Sequence, residues 1–385
     1  MLTLMLEMTP PEADELEVSL FGPGFGECVL VHLGSDEWMI IDSCLHKGEK
    51  HPAPLDYLKK IGVQPSSAVK LIIATHWHDD HVKGLGEVVR ECVSARFWCS
   101  QALFAREFIA LTDLWKKQAS QDSPLNEFSL VMEALGRSGR MQKDPLGKVG
   151  FGFASANKCI WKRPINSHIS ETVRREIHSL SPREAAVKSA FETVAAMFPT
   201  RGVLRQPIPS RPNQSSVVLW VTIGNISILL GADMEEENNP YGGWKVIVNS
   251  TERPDGRATL IKVPHHGSST GEYAPMWAKM LTPSPLAMLT PFTRLKIPLP
   301  THDDIERIIR RTDKAFISAT VRNRGQQRRN PEVRRTMREV LKWSRPIDEG
   351  FGQICARKKI PSSVDSGWQV QLFGDACRLD ALLRN

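Results

Sequence analysis

Six consecutive residues, His76-Trp77-His78-Asp79-Asp80-His81, follow directly on the apolar run Leu71-Ile72-Ile73-Ala74. The run has the length and composition of a buried strand, so the six residues fall on the loop that leaves it. A loop at a strand end is held by a rigid scaffold and can aim several side chains at one point. Imidazoles and carboxylates at this density suit Zn²⁺ or a similar divalent ion.

Two further strand ends carry the same kind of residue. His265-His266 follows the β-like run Leu260-Ile261-Lys262-Val263, and Asp233 follows Ile226–Leu230 through Gly231-Ala232. Three separate strand ends that each deliver metal-ligand chemistry point to a scaffold on which those ends converge. Asp42 closes a fourth run, Trp38–Asp42. It faces the same region if the strands pair, either as an outer residue that orients a ligand or as a plain strand-end turn residue.

The bulk numbers allow one large domain or two in 385 residues. Hydrophobic residues at 41% and charged residues at 24% are ordinary for a soluble globular chain, which excludes the disordered and fibrous classes. No apolar stretch approaches the roughly 18 residues of a membrane span. Met1–Met8 is apolar but short, carries Glu7 and lacks a basic start, so it does not read as a signal peptide. The seven cysteines are scattered and form no C-x-x-C pair. Reduced thiols, no disulfide framework and a cytoplasmic setting are expected. The net charge of +7 is uneven, with 13 Lys/Arg against 6 Asp/Glu in residues 301–345. Such an excess attracts polyanions, although a solvated helix face would look the same.

Periodicity supplies the elements between these landmarks. Glu27–Leu33 and Trp38–Asp42 read as a hairpin preceded by the glycine-rich turn 22–26, and residues 54–62 and 83–93 read as helices. Phe97–Cys99 is a short strand. Residues 101–135 are mostly helical, with Phe104, Phe108, Leu111 and Trp115 on a core stripe. Residues 136–168 read as a long irregular segment. Pro182–Phe198 resumes helix with Ser181 as its N-cap. Ser215–Val221 and Ile226–Leu230 form a second hairpin about Gly224-Asn225. Helix is expected over Pro275–Met280 and Asp303–Arg311, strand over Leu286–Thr290, an Arg-rich loop and helix over 322–345, and a closing strand over Trp368–Phe373.

These residues resemble the metallo-β-lactamase superfamily, whose His-x-His-x-Asp-His loop is matched by His76, His78, Asp80 and His81. Within it the chain is similar to the hydrolase domain of ComEC-type DNA-uptake proteins. The similar stretches are Gly24-Phe25-Gly26-Glu27-Cys28, Ile40-Ile41-Asp42-Ser43, Asn213-Gln214-Ser215-Ser216, Leu229–Asp233 and Lys262–Ser268. The membrane channel of those proteins has no counterpart here. The resemblance implies an α/β fold, an αββα sandwich spanning 15–385 as one domain. Residues 101–200 would be a mostly helical insertion and 301–345 a basic helical or loop region. By the same resemblance, His76 and His78 hold a first divalent ion. Asp80, His81 and one of His265 and His266 hold a second, and Asp233 bridges the two. Zn²⁺ is expected, with Mn²⁺ the alternative. No third histidine for the first ion is evident, His168 and His178 being weak candidates. Asp80 and Asp233 are the expected catalytic carboxylates, and a hydroxide activated by the ion pair is the expected nucleophile.

The leading expectation is a phosphodiesterase or nuclease acting on nucleic acid or a nucleotide, with Arg328, Arg329, Arg334 and Arg335 as candidate phosphate contacts. Two readings compete with it. One is a lactonase, thioesterase or β-lactamase on the same fold. The other is a non-catalytic partner subunit that retains a structural metal, although structural zinc sites have closed coordination and need no second ion.

Overall fold

The computed structural model describes residues 8–23, 26–46, 51–103, 124–141, 150–163, 173–196, 212–236, 242–293, 297–320, 350–360 and 367–383. The strands in chain order are β1 (Glu15–Pro23), β2 (Cys28–His32), β3 (Trp38–Ile41), β4 (Val69–Ala74), β5 (Arg96–Ser100), β6 (Phe151–Ala154), β7 (Lys158–Lys162) and β8 (Arg175–Ser179). They continue with β9 (Leu219–Ile223), β10 (Ile226–Leu230), β11 (Ala258–Lys262), β12 (Leu281–Leu289), β13 (Ala315–Ile317), β14 (Phe351–Lys359), β15 (Gln369–Gly374) and β16 (Cys377–Arg378). One sheet runs β15-β14-β1-β2-β3-β4-β5-β6 and the other β16-β13-β12-β11-β10-β9-β8-β7.

Strand parity explains the layering. In β4, Leu71 and Ile73 pack in the core between the sheets, whereas Ile72 and Ala74 face the helices outside. Both faces are buried, so the strand reads as one continuous apolar run. From the second sheet, Leu219, Val221, Ile228, Leu230 and Leu260 fill the same central layer. Helices Ala53–Lys60, Leu85–Glu91 and Pro124–Arg137 cover the first sheet. Helices Gly243–Val248, Ala274–Met280 and His302–Arg311 cover the second. The order is helix, sheet, sheet, helix, the αββα sandwich expected. Helix His302–Arg311 starts at a capping box in which Thr301 and Asp304 exchange side-chain-to-backbone bonds, which accounts for its sharp onset.

Each sheet contains a run of four parallel strands, β3-β4-β5-β6 in one and β10-β11-β12-β13 in the other, and the carboxyl ends of β3, β4, β10 and β11 open at the same rim of the sandwich. Asp42, His76, Asp233 and His265 lie just beyond those ends.

Several expectations need correction. Residues 136–168 are not wholly irregular: β6 and β7 lie within them and form edges of the two sheets. The 101–200 stretch contributes helices Pro124–Arg137 and Glu184–Ala196, but also β6, β7 and β8. Ser181 does not cap a helix. Its hydroxyl donates to the Ser216 carbonyl at 2.6 Å and accepts from the Val218 amide at 2.8 Å, and the helix begins at Glu184. Gly22 and Pro23 end a nine-residue strand rather than sitting in a turn. Phe104, Phe108, Leu111 and Trp115, the region 322–345 and its Arg328, Arg329, Arg334 and Arg335 lie outside the described residues. All seven cysteines are unpaired. Among the described residues no helix is long and apolar enough to cross a membrane.

Candidate metal centre

The six-residue loop leaves β4 and folds into a single turn, Asp79–Val82, which brings Asp80 and His81 back towards His76. His76 and His81 rings lie 4.3 Å apart, centroid to centroid. Across the rim, the second sheet supplies Asp233 after β10 and His266 after β11. Two groups of potential ligand atoms result, each within 4.8 Å of one another: Asp80, His81, Asp233 and His266, and His76, His78 and Asp233. Asp233 is common to both.

The closest approaches are His266 Nε2 to Asp80 Oδ2 at 3.2 Å, His81 Nε2 to Asp233 Oδ2 at 3.4 Å and His266 Nε2 to Asp233 Oδ2 at 3.5 Å. His76 Nε2 lies 3.2 Å from His78 Nδ1. Two imidazoles facing nitrogen to nitrogen at that range suit a shared cation.

The backs of the rings are held. Asp42 Oδ2 takes His81 Nδ1 at 2.7 Å and the Thr75 hydroxyl at 2.7 Å, and Asp42 Oδ1 takes the Thr75 amide at 2.7 Å. Thr75 in turn meets His76 Nδ1 at 2.9 Å. With Nδ1 donating to Asp42, Nε2 is the His81 nitrogen turned into the cluster, and that buried atom has no hydrogen-bond partner among the described residues. An orphaned imidazole nitrogen among carboxylates is what a divalent ion would satisfy, so the donor set fits such an ion. His266 Nδ1 meets the Thr290 carbonyl and hydroxyl, each at 3.2 Å.

Of the adjacent pair after β11, only His266 enters either group. Both residues take left-handed backbone angles, φ 47° and 54°, and the bend sends their side chains apart. His266 is buried, while His265 pairs with Glu235 at 3.0 Å and Thr270 Oγ1 at 2.8 Å. His178 sits on β8, opposite Trp220, and joins neither group. His168 lies outside the described residues.

The electrostatics split the imidazoles into two kinds. Burial, then the neighbouring His81 and His78, pushes His76 well below the ordinary histidine value, and burial lowers His78. Both stand neutral with lone pairs available. For His81 and His266 burial also pulls downward, but Asp233 and Asp80 outweigh it. His81 is raised well above its ordinary value and His266 to about 10. Protonated, those two imidazoles offset the charges of Asp80 and Asp233.

The folded value for His266 lies above the unfolded one, so its contribution is complete below about pH 6.5 and is lost as pH rises towards 10. Chelator-treated protein is therefore expected to melt lower at pH 9.5 than at pH 6.5. An ion that replaces those protons should reverse the trend, because imidazole ligands bind deprotonated. Parallel melting curves with and without chelator across that range check both halves.

Sequence reasoning did not single out Glu27, Thr75, Lys262 or Thr290 as members of this site. A charged residue at an inward strand position is the signal that was there to be read: Lys262 follows Leu260 by two and shares its buried face. Gly26 makes the Glu27 approach possible. A Cβ on Gly26 would lie 2.0 Å from the Asp80 carbonyl oxygen, which accepts from the Glu27 amide at 2.7 Å.

Residues 21–126 match the family model of the metallo-β-lactamase superfamily. Over 68 residues the chain is 41% identical to ComE operon protein 3 of Bacillus subtilis (strain 168). The matched stretch is 17% of this chain and 8% of that protein, so the chain spans a small part of the curated relative. Among solved structures, a metallo-β-lactamase from Cronobacter sakazakii is 14% identical, with a TM-score of 0.29 over 58% of this chain and 64% of that one. The metallo-β-lactamase fold protein YhfI from Bacillus subtilis is 13% identical, with a TM-score of 0.30 over 64% and 71%. The matched segment carries β2 to β5 and the His76–His81 loop, and the four-layer architecture around it is the metallo-β-lactamase fold.

Proposed function

We propose that this metallo-β-lactamase-fold chain is a phosphodiesterase, dependent on two divalent ions and acting on nucleic acid or a nucleotide. The observation that carries the reading is Asp233, a buried carboxylate common to two adjoining groups of ligand-type atoms. His76, His78 and Asp233 would hold one ion, and Asp80, His81, Asp233 and His266 the other. Zn²⁺ fits the nitrogen-rich donor set best, with Mn²⁺ the alternative. When bound, such a pair lowers the pKa of a water towards 7 and neutralises charge on an attacked phosphoryl group.

The chain's own residues supply the rest. Asp42 and Thr75 hold Nδ1 of the His81 and His76 rings, so that Nε2 of each is the nitrogen turned to the cluster and, once deprotonated, open to an ion. Asp80 and Asp233, held ionised by the imidazoles around them, bring the negative charge that two dications need. The side of the His266 ring carries Phe292, stacked at 5.1 Å and 24°, which gives the site one apolar wall. A phosphodiester is favoured over a neutral ester by the basic excess of residues 301–345 and by the ComEC-type resemblance. Arg328, Arg329, Arg334 and Arg335 are the candidate phosphate contacts, and seven unpaired thiols suit a cytoplasmic setting.

The test is metal-dependent cleavage of bis-p-nitrophenyl phosphate, run beside nitrocefin and a thioester. Turnover of the phosphodiester alone is expected. Turnover of nitrocefin or the thioester in its place would move the substrate class to the lactamase or thioesterase type. No turnover of any of them by protein loaded with both ions would favour a non-catalytic partner subunit. Asp42→Asn is expected to weaken ion binding by roughly 10- to 100-fold, the usual cost of losing a residue that orients a ligating histidine. Chelator competition measures it, and an unchanged affinity would remove Asp42 from that role.

A further inference from the structure

Lys262 closes β11 with its side chain on the Leu260 face, pointing into the gap between the sheets. Its side chain is 2% exposed. A lysine is rarely buried without partners, because an ammonium has only donors and each needs an acceptor. Here three acceptors surround it: the Ala232 carbonyl oxygen at 2.9 Å, Asp233 Oδ1 at 3.5 Å and Glu27 Oε1.

We propose that Lys262 is a positioning residue that turns the Asp233 carboxylate so that its Oδ2 faces the imidazoles that would hold an ion. The inference rests on the two-ion reading above. Asp233 Oδ1 lies on Lys262, and Oδ2 is the oxygen nearest His81 and His266. The backbone is held by the same group. Ala232 sits at φ 45°, a left-handed conformation that a residue with a Cβ occupies at a cost. Its carbonyl is clamped by Lys262 Nζ and by the His265 amide at 3.0 Å, while the Gly231 amide donates to the Lys262 carbonyl at 3.1 Å. The turn 231–233 is thus wrapped around the end of β11.

Glu27 extends the device to the opposite sheet. One of its oxygens takes Lys262, and the other takes the Thr290 hydroxyl, which stands behind the His266 ring. One ammonium and one carboxylate therefore set Asp233 and His266 relative to the ligands of the first sheet. Glu27 and Lys262 cancel each other's charge. Bound ions would meet the −3 of Asp42, Asp80 and Asp233.

The test compares ion binding, by chelator competition and elemental analysis, in the whole chain and in the double variant Lys262→Met with Glu27→Gln. The double change removes both charges together, so no buried charge is left alone. The expected result is a folded protein, by circular dichroism, that binds Zn²⁺ at least tenfold more weakly than wild type. Binding of both ions within twofold of wild type overturns the proposal and leaves the pair as a structural brace. Should the double variant not fold, Lys262→Arg decides. It keeps the charge, but its planar fork cannot place a donor at the same point. At least a threefold loss of affinity supports positioning, and unchanged affinity overturns it. A wild-type protein that takes up no ion at all defeats the two-ion reading itself, an outcome distinct from either of these.

Discussion

Asp233→Asn is expected to abolish the proposed two-ion site. Hydrolysis of bis-p-nitrophenyl phosphate should fall by roughly a thousandfold or more in kcat/KM, about 4 kcal/mol of lost transition-state stabilisation. Elemental analysis should show the bound ions dropping from two to one or none. The substitution keeps the shape and removes the charge. An amide oxygen carries no formal charge to share between two cations, and its NH2 would face either His81 and His266 or the Lys262 ammonium. Asp233 lies in both ligand groups, so its loss is felt at both positions, whereas a histidine of one group acts at one. A variant that kept both ions and activity within tenfold of wild type would falsify the bridging role.

The second large effect concerns stability. Arg357→Met is expected to destabilise the fold by about 3–5 kcal/mol, the range seen when one member of a buried ion pair is removed. For a chain of this size that is a fall in melting temperature of roughly 5 °C. Glu17 on β1 and Arg357 on β14 are directly opposite in the antiparallel ladder. The Glu17 side chain is fully buried, and Oε2 accepts from Arg357 at 2.8 and 2.9 Å. Its other oxygen accepts from the Tyr57 and Ser19 hydroxyls at 2.8 and 2.7 Å. Without the guanidinium a carboxylate is stranded under helix Ala53–Lys60 with two hydroxyl donors and no counter-charge. The double variant Glu17→Met with Arg357→Met should recover most of the loss, since an apolar pair of similar volume avoids the desolvation cost. Lys359→Ala, a change on the same strand as Arg357 that breaks an exposed pair with Asp14, should leave the melting temperature unchanged. Equal effects from the buried and exposed variants would defeat the argument.

These two residue sets also show where the sequence was legible. β2 to β5 and β9 to β12 announce themselves because they are buried on both faces or alternate cleanly, and the ligand-type residues stand at their ends. β1 is different. Its Leu16, Val18 and Leu20 alternate with Glu17 and Ser19, which suggests a solvent-facing side, and the burial of that side makes sense only when Arg357, more than three hundred residues away, is seen opposite. β14 is disguised in the same way by its Arg-Lys-Lys ending, and β6 by the glycine in Phe-Gly-Phe-Ala, which carries little strand signal. At the site, the ligand-type residues could be nominated from local context, but two features could not. The choice of His266 over His265 depends on a backbone bend that adjacent identical residues do not reveal. The Lys262–Glu27 pair depends on which faces of two different sheets meet.

The placement of β1 bears on how the chain is made. β1 lies inside its sheet, flanked by β2 and by β14. During synthesis β2 emerges at once, but β14 follows only after roughly 340 residues, about 20–70 s at ribosomal rates of about 5–20 residues per second. For that interval the nascent polypeptide presents a nine-residue strand with one open edge and a buried-type carboxylate awaiting its guanidinium. Translation speed and chaperone occupancy are therefore built into the success of this topology, because the partner that seals β1 leaves the ribosome long after β1 itself.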